Sequence, residues 1–176
     1  MACIASLREE GIEPALFLYN PNIHPFTEYV RRRDAALQYA KSLDLPLIME
    51  DHYGLRQFIE TLYDVQAGFD FPGRCAYCYR LRMEKTAVTA KENGFDAFST
   101  TLFISPYQNH DLLMKEAEAA AGKYDTTLLY RDFRPRFREG RQEARALGLY
   151  MQKYCGCIFS EEEQTKSKWQ RANSKK

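Results

Sequence analysis

The chain has 176 residues, of which 45% are hydrophobic and 28% are charged, a composition typical of one medium-sized globular domain and not of a disordered chain. No apolar run approaches the roughly 20 residues that a transmembrane helix needs, and no signal peptide is visible, so we expect a cytoplasmic protein without membrane contact. The net charge of +1 neither demands nor excludes a nucleic-acid partner.

Short apolar segments alternate with segments of helical periodicity along the whole chain. In the first half we predict a helix over 2–11, a strand over 14–20, a helix over 26–44, a strand over 45–50 and a helix over 53–64. A loop rich in glycine and proline follows over 65–74. In the second half we predict a helix over 75–94, a strand over 95–103, a helix over 109–124, a strand over 126–132 and a helix over 136–148.

This alternation predicts an α/β fold, a Rossmann-like parallel sheet with helices on both faces. The chain begins with a helix that leads into a strand. Crossover connections in such folds join strand to strand, so a strand ordinarily precedes that helix. We therefore expect the first strand of the sheet to be missing from this chain.

Four of the five cysteines form two close pairs, Cys75 with Cys78 and Cys155 with Cys157. Disulfides are rare in the cytosol, so close pairs there suggest metal or redox chemistry. Four thiolates can hold zinc or an iron–sulfur cluster, and spacing alone does not separate the two. A dithiol redox pair and buried structural cysteines are the alternatives for these four residues. Cys3 is interpreted as a small core residue on a helix.

Two basic stretches are candidates for contact with phosphates. Residues 130–145 contain six arginines against three acids, and the segment 166–176 adds five lysines or arginines. Aromatic side chains interleave with the first group, a pattern that suits stacking on splayed RNA bases. Solvated helix faces and a frayed terminus are the alternative interpretation of both stretches.

Four segments carry a resemblance to a known family. They are "FLYNPNIHPFTEYVRR", "GRCAYCYRLRMEKTAVTAKENGFDAFSTTLFISPYQN", "YRDFR" and "LGLYMQKYCGCIFS", and they cover most of the chain from about residue 15 to residue 160. Together they resemble the QueH family of epoxyqueuosine reductases. The resemblance implies a fold similar to HUP-type domains and the reduction of epoxyqueuosine to queuosine in tRNA, the last step of queuosine biosynthesis.

The resemblance also implies the cofactors and the partners. It implies a 4Fe–4S cluster with a further mononuclear iron nearby, a tRNA anticodon loop as substrate and an electron donor that the sequence does not identify. The family's metal-site cysteines fall on Cys75, Cys78, Cys155 and Cys157. The family opens with a strand that ends in Cys-Cys-x-Pro-Cys, and this motif is not in the chain. We expect one metal-binding catalytic domain over 1–160 and a basic tail over 161–176.

Three residues are candidates for acting on the substrate. Asn22 follows a predicted strand, at the edge where parallel sheets bind ligands; turn formation beside Pro21 is the alternative. Arg80, preferred here to Arg82, could stabilise a negative cluster or contact phosphate; a solvated helix face is the alternative for both arginines. Tyr107 could donate a proton or stack on a base.

Asn20, His24, Thr100, Thr101 and Ser105 are further polar residues near predicted strand ends. Two other functions compete with the reductase. One is a zinc-stabilised, non-catalytic domain that binds tRNA or nucleotide. The other is a tRNA sulfur-transfer enzyme, which needs a Ser-Gly-Gly-x-Asp-Ser phosphate loop that this chain does not contain.

Overall fold

A computed structural model describes residues 1–64 and 72–174. Within these residues the chain forms, in order, α1 (Ala2–Glu9), β1 (Leu16–Leu18), α2 (Phe26–Ser42), β2 (Leu47–Met49), α3 (Leu55–Asp64), α4 (Gly73–Glu92), β3 (Ala97–Phe98), α5 (His110–Tyr124), β4 (Thr127–Leu128), α6 (Phe137–Ala146) and α7 (Ile158–Asn173). The predicted loop over 65–74 lies mostly outside the described residues.

All four strands pair in parallel, which confirms the predicted α/β class. β1 pairs with β2, with Phe17 opposite Ile48, and β3 pairs with β4, with Phe98 opposite Leu128. These are two separate two-stranded sheets, and no described strand joins them. The absence of an opening strand stays a prediction.

The predicted strand over 95–103 is shorter in the structure. Only Ala97–Phe98 pair as β3, and Thr101–Ile104 then form a turn of 3₁₀ helix. The Thr100 hydroxyl accepts a hydrogen bond from the Leu102 amide at 3.2 Å. This local bond offers the backbone an alternative to the sheet ladder, which explains why the apolar threonine-rich run does not continue as a strand.

The main hydrophobic core lies where α4 and α5 pack against each other and against β3. Phe103, Leu113, Ala87 and Ala117 have no solvent exposure, and Met83 has 1%. Alanines at the contact between the helices let the two backbones approach closely, while the larger side chains fill the space beneath them. Cys3 belongs to this core, as predicted.

Local chemistry sets several helix ends. The Asn109 carboxamide accepts a hydrogen bond from the Leu112 amide at 3.0 Å and so caps the start of α5. Gly94, with φ of +73°, follows the end of α4, a position that favours glycine. The segment predicted as a basic tail over 161–176 is mostly helical, because α7 runs from Ile158 to Asn173. None of the described helices is long and apolar enough to cross a bilayer.

A candidate cysteine site

Cys75 and Cys78 lie one turn apart near the start of α4, and both are partly buried. The free amides at a helix start favour thiolates. Burial outweighs this effect at Cys75. Burial, together with the neighbouring thiols, raises the pKa of the Cys75 thiol to about 11. Without a bound cation, Cys75 is therefore a neutral thiol near pH 7.

The second cysteine pair lies in the loop that connects α6 to α7. Gly156 stands between Cys155 and Cys157 with a φ of +109°, a backbone conformation that favours glycine. A Cβ added at Gly156 would lie 2.8 Å from the Arg32 guanidinium. Glycine is thus required here both by the backbone turn and by the close approach of α2.

The segment 20–25, here called the asparagine loop, holds this second pair. Ile23 forms an antiparallel bridge with Cys157, and the His24 amide donates to the Gly156 carbonyl at 2.8 Å. From α2, the Arg32 guanidinium donates to the Cys155 and Tyr154 carbonyls, both at 2.9 Å. Backbone pairing and one arginine therefore fix the path of the Cys-Gly-Cys loop.

The asparagine loop also contacts the first cysteine pair. The Asn22 carboxamide, which is 3% exposed, donates to Cys78 Sγ at 3.2 Å. Arg82, one turn further along α4, donates to Cys78 Sγ at 3.4 Å and to Asn22 Oδ1 at 2.7 Å. The same guanidinium donates to Asn20 Oδ1 and to the Tyr19 carbonyl, both at 2.9 Å. One loop thus lies against both cysteine pairs.

A buried carboxylate on α2 helps to position the Cys-Gly-Cys loop. Glu28 on α2 is 4% exposed and accepts a hydrogen bond from Arg32 at 2.8 Å. The Tyr150 hydroxyl donates to the same carboxylate, and the Tyr154 hydroxyl donates to the His24 carbonyl. A buried charge needs such partners, so Glu28 orders Arg32 and with it the Cys-Gly-Cys loop.

The four thiols are close enough to affect one another electrostatically. The charges of Cys78, Cys155 and Cys157 all raise the pKa of Cys75, after desolvation. Desolvation is also the main cause of the raised pKa of Cys157, to which Cys155 and Cys78 contribute. Two pairs distant in sequence therefore converge in space.

Four thiols are suitable ligands for a metal ion or an iron–sulfur cluster, but here they are not arranged as a complete set of metal ligands. Within 1–64 and 72–174, no three His, Cys, Asp or Glu side chains are grouped as a metal site. The His24 Nδ1 atom is buried and has no hydrogen-bond partner among these residues. A buried, unpaired nitrogen beside the Cys-Gly-Cys loop suggests that a further partner belongs there. Metal binding by the four cysteines stays a prediction.

The three candidate substrate residues lie in different places. Asn22 is at the thiols. The Arg80 guanidinium donates to Glu116 on α5 at 3.0 Å, and it is Arg82, not Arg80, that contacts Cys78. Tyr107 is 79% exposed and its ring packs edge-on against Phe137.

The structure also reassigns several other polar residues. The Ser105 hydroxyl accepts a hydrogen bond from the Tyr107 amide at 3.3 Å, and Thr100 caps the 3₁₀ turn. Both have local structural roles. Arg32 and Glu28 were not predicted from the sequence. Arg82 was ranked below Arg80, although it follows Cys78 by one helical turn.

Comparison with known proteins identifies relatives over nearly the whole chain. The sequence profile described as "Epoxyqueuosine reductase QueH" matches residues 1–163. A protein of that name from Dehalococcoides mccartyi is 37% identical over 156 residues, which are 89% of this chain and 83% of the relative. The protein of that name from Thermotoga maritima is 32% identical over 148 residues, 82% of this chain and 77% of the relative.

A third relative of that name, from Histophilus somni, is 31% identical over 174 residues, which are 97% of this chain and 70% of the relative. The names of all three relatives describe an oxidoreductase. The prediction of an enzyme of this class in queuosine biosynthesis is thereby confirmed at the level of the family.

Proposed function

Because the chain belongs to the QueH family of epoxyqueuosine reductases, we propose that it reduces epoxyqueuosine to queuosine in tRNA, in the cytoplasm, with an iron–sulfur cluster. The observation that supports the cluster most directly is the asparagine loop. It contacts Cys78 through Asn22 and pairs with Cys157 through Ile23. A loop placed in this way brings both cysteine pairs to one site.

The reaction removes one oxygen atom from the substrate. Both C–O bonds of the epoxide break, a C=C bond forms, and the oxygen leaves as water after it has taken up two electrons and two protons. Cys75, Cys78, Cys155 and Cys157 would hold a 4Fe–4S cluster, which when bound supplies electrons singly, with an additional iron as a Lewis acid. The electrons come from a donor that is not identified.

The protein's own residues hold the thiols in place. Asn22 and Arg82 donate to Cys78 Sγ, and hydrogen bonds to a cysteine sulfur stabilise its negative form and hold it in one orientation. The Arg82 guanidinium is already engaged by four partners. Arg82 is therefore suited to position Cys78 and the asparagine loop, and not to stabilise the charge that develops on the substrate oxygen.

The first test is to purify the protein without oxygen and to quantify iron, sulfide and zinc in one sample, together with the visible spectrum. We expect iron and acid-labile sulfide with a broad visible absorption. A colourless protein with one zinc and no sulfide would instead support the zinc-stabilised binding domain.

The second test is a single-turnover assay with tRNA that carries epoxyqueuosine and with a chemical reductant. Nucleosides from the digested tRNA are then separated and weighed by mass spectrometry. We expect conversion to queuosine, with loss of one oxygen, and no conversion by a Cys78→Ala variant. A Cys3→Ala variant is the matched control, because Cys3 lies in the hydrophobic core and not at the site. Loaded protein that leaves the epoxide intact would overturn the proposed reaction.

A further inference from the structure

The arginine-rich segment 130–145 is divided by the tertiary structure into two groups. Three of its arginines are already paired with acids. Arg131 pairs with Glu10 at 2.7 Å, and Arg134 pairs with Asp132 at 2.7 Å. Arg136, which directly precedes α6, contacts two carboxylates, Glu9 on α1 and Glu139 on α6. These arginines carry little net charge to offer to a phosphate.

The other three arginines form a separate group on α6. Arg138, Arg141 and Arg145 are exposed and have no acidic partner in the part of the chain that the structure describes. Their spacing of three and four residues places them on one side of the helix. The acids of α6 face elsewhere: Glu139 pairs with Arg136, and Glu143 interacts with Tyr39.

An aromatic platform borders these arginines. The Tyr107 ring, 79% exposed, packs edge-on against the ring of Phe137, with ring centroids 5.9 Å apart. The Arg141 guanidinium lies over the Phe137 ring, 5.7 Å from its centroid. An aromatic ring held by a neighbour, yet open on its outer face, is suited to stack on an unpaired base. We call Tyr107, Phe137, Arg138, Arg141 and Arg145 the α6 platform.

The α6 platform is connected to the thiol site through Tyr79, the residue after Cys78. The Tyr79 hydroxyl donates to Gln108 Oε1 at 2.6 Å. It also accepts a hydrogen bond from the Asn109 amide at 3.4 Å. The loop that carries Tyr107 is therefore attached to the helix that carries Cys75 and Cys78.

We infer that the α6 platform binds the single-stranded loop of the RNA substrate, with a base stacked on Tyr107 and phosphates on Arg138, Arg141 and Arg145. This inference rests on the proposed tRNA substrate. Sequence-specific RNA recognition commonly uses loops whose unstacked bases lie on aromatic side chains. A base held on the α6 platform leaves a neighbouring flipped base free to reach the thiols.

The test is RNA binding, measured by fluorescence anisotropy at several salt concentrations. The probes are an anticodon stem-loop and its duplex stem without the loop. Tyr107→Ala should weaken stem-loop binding about 5- to 150-fold, the range for loss of one stacked base. Tyr107→Phe should bind like the wild type, because it keeps the ring. Binding of the duplex stem should not change with either substitution.

Two double variants of equal charge test the arginines. Arg141→Gln/Arg145→Gln should lower the slope of log Kd against log salt by about two, one for each lost phosphate contact. Arg131→Gln/Arg134→Gln removes the same charge from the paired group and should change the slope by much less. Circular dichroism checks that each variant is folded.

The outcomes separate the two proposals. If the wild-type protein binds the stem-loop but Tyr107→Ala binds equally well, or both double variants lose the same slope, the α6 platform is not the docking surface. The proposed reaction then still stands. If the cluster-loaded wild-type protein binds neither tRNA nor stem-loop, the proposed function itself is overturned.

Discussion

Two regions of the molecule are stabilised in different ways. The region around α4, α5 and β3 has a continuous apolar core, in which Phe103, Leu113, Ala87 and Ala117 are fully buried. The region around α2, β1 and β2 has a much smaller cluster of buried residues, Ile4, Tyr39 and Leu45. There the strand residues of β1 are only partly buried.

Polar contacts take the place of apolar packing in the second region. The Glu28–Arg32 pair, two tyrosine hydroxyls and the asparagine loop connect segments more than a hundred residues apart. Hydrophobic burial is not directional, whereas hydrogen bonds fix orientation. The first region therefore supplies stability, and the second sets the geometry of the cysteine site.

The largest expected effect is a cavity in the apolar region. Leu113→Ala should lower the free energy of unfolding by about 2–5 kcal/mol, because Leu113 has no exposure and its neighbours cannot fully close the space. Urea denaturation measures the loss. Leu37→Ala on α2, where the side chain is 41% exposed, is the control and should cost far less. Equal losses would contradict the assignment of the core to α4 and α5.

The next largest effect is expected in the second region, where polar contacts replace apolar packing. Arg32→Met leaves the buried Glu28 carboxylate without its cation, which should cost about 1–3 kcal/mol. It also removes two hydrogen bonds from the Cys-Gly-Cys loop. Alkylation of Cys155 and Cys157 in the metal-free protein, followed by mass spectrometry, should become faster while that of Cys3 does not change.

Arg32→Lys is the conservative control for this second prediction. Lysine keeps the charge but cannot reproduce the fork that reaches Glu28 and two carbonyls. We expect an intermediate loss of stability and intermediate alkylation rates. If Arg32→Met is as stable as the wild type and its loop is equally protected, the polar network does not set the site geometry.

Substitutions at two glycines, one in each region, test the role of the backbone conformation. Gly156→Ala should cost about 1–3 kcal/mol, because alanine is strained at a φ of +109° and its Cβ would meet Arg32 and Ile23. Gly122→Ala in α5, where a Cβ meets nothing within 4 Å, should stabilise the protein by about 0.4–1 kcal/mol. Thermal unfolding of both variants measures the difference, and a change of the same sign in both would refute this interpretation.

The smallest effect is a pH dependence outside both regions. A hydrogen bond from Arg134 lowers the pKa of Asp132 from 3.8 to about 2. A lowered folded-state pKa stabilises the protein above the unfolded value, and this contribution is lost as the pH falls from 3.8 towards 2. Because the pair is largely exposed, it is worth less than about 1 kcal/mol. The stability difference between wild type and Asp132→Asn should shrink over that pH interval; a constant difference would contradict it.

The helices were predicted from the sequence more accurately than the strands. The helices over 26–44, 75–94 and 109–124 were predicted within two residues or so at each end, because helical periodicity and end signals such as Asn109 are local. The strands were predicted too long. Each is only two or three residues in the structure, since strand pairing depends on partners that the local pattern does not contain.

The site was likewise predicted only in part, because some of its contacts depend on residues that are distant in sequence. Asn22 could be found because it follows a strand, and it lies at Cys78. Arg80 was preferred to Arg82, although Arg82 makes the contact with the thiol. Both arginines follow Cys78 on α4. The spacing of one helical turn favours Arg82, and the asparagine loop holds its guanidinium beside the thiol.

The sequence by itself determined the family, the α/β class and the two cysteine pairs, because these depend on short motifs and on periodicity that neighbouring residues encode. Only the tertiary structure decided that Asn22 contacts Cys78, 56 residues away, and that Arg131 is neutralised by Glu10 across 121 residues. It likewise decided that Arg138, Arg141 and Arg145 stay exposed beside Tyr107. Contacts of this kind follow from how helices and loops pack together, and no local pattern specifies that packing.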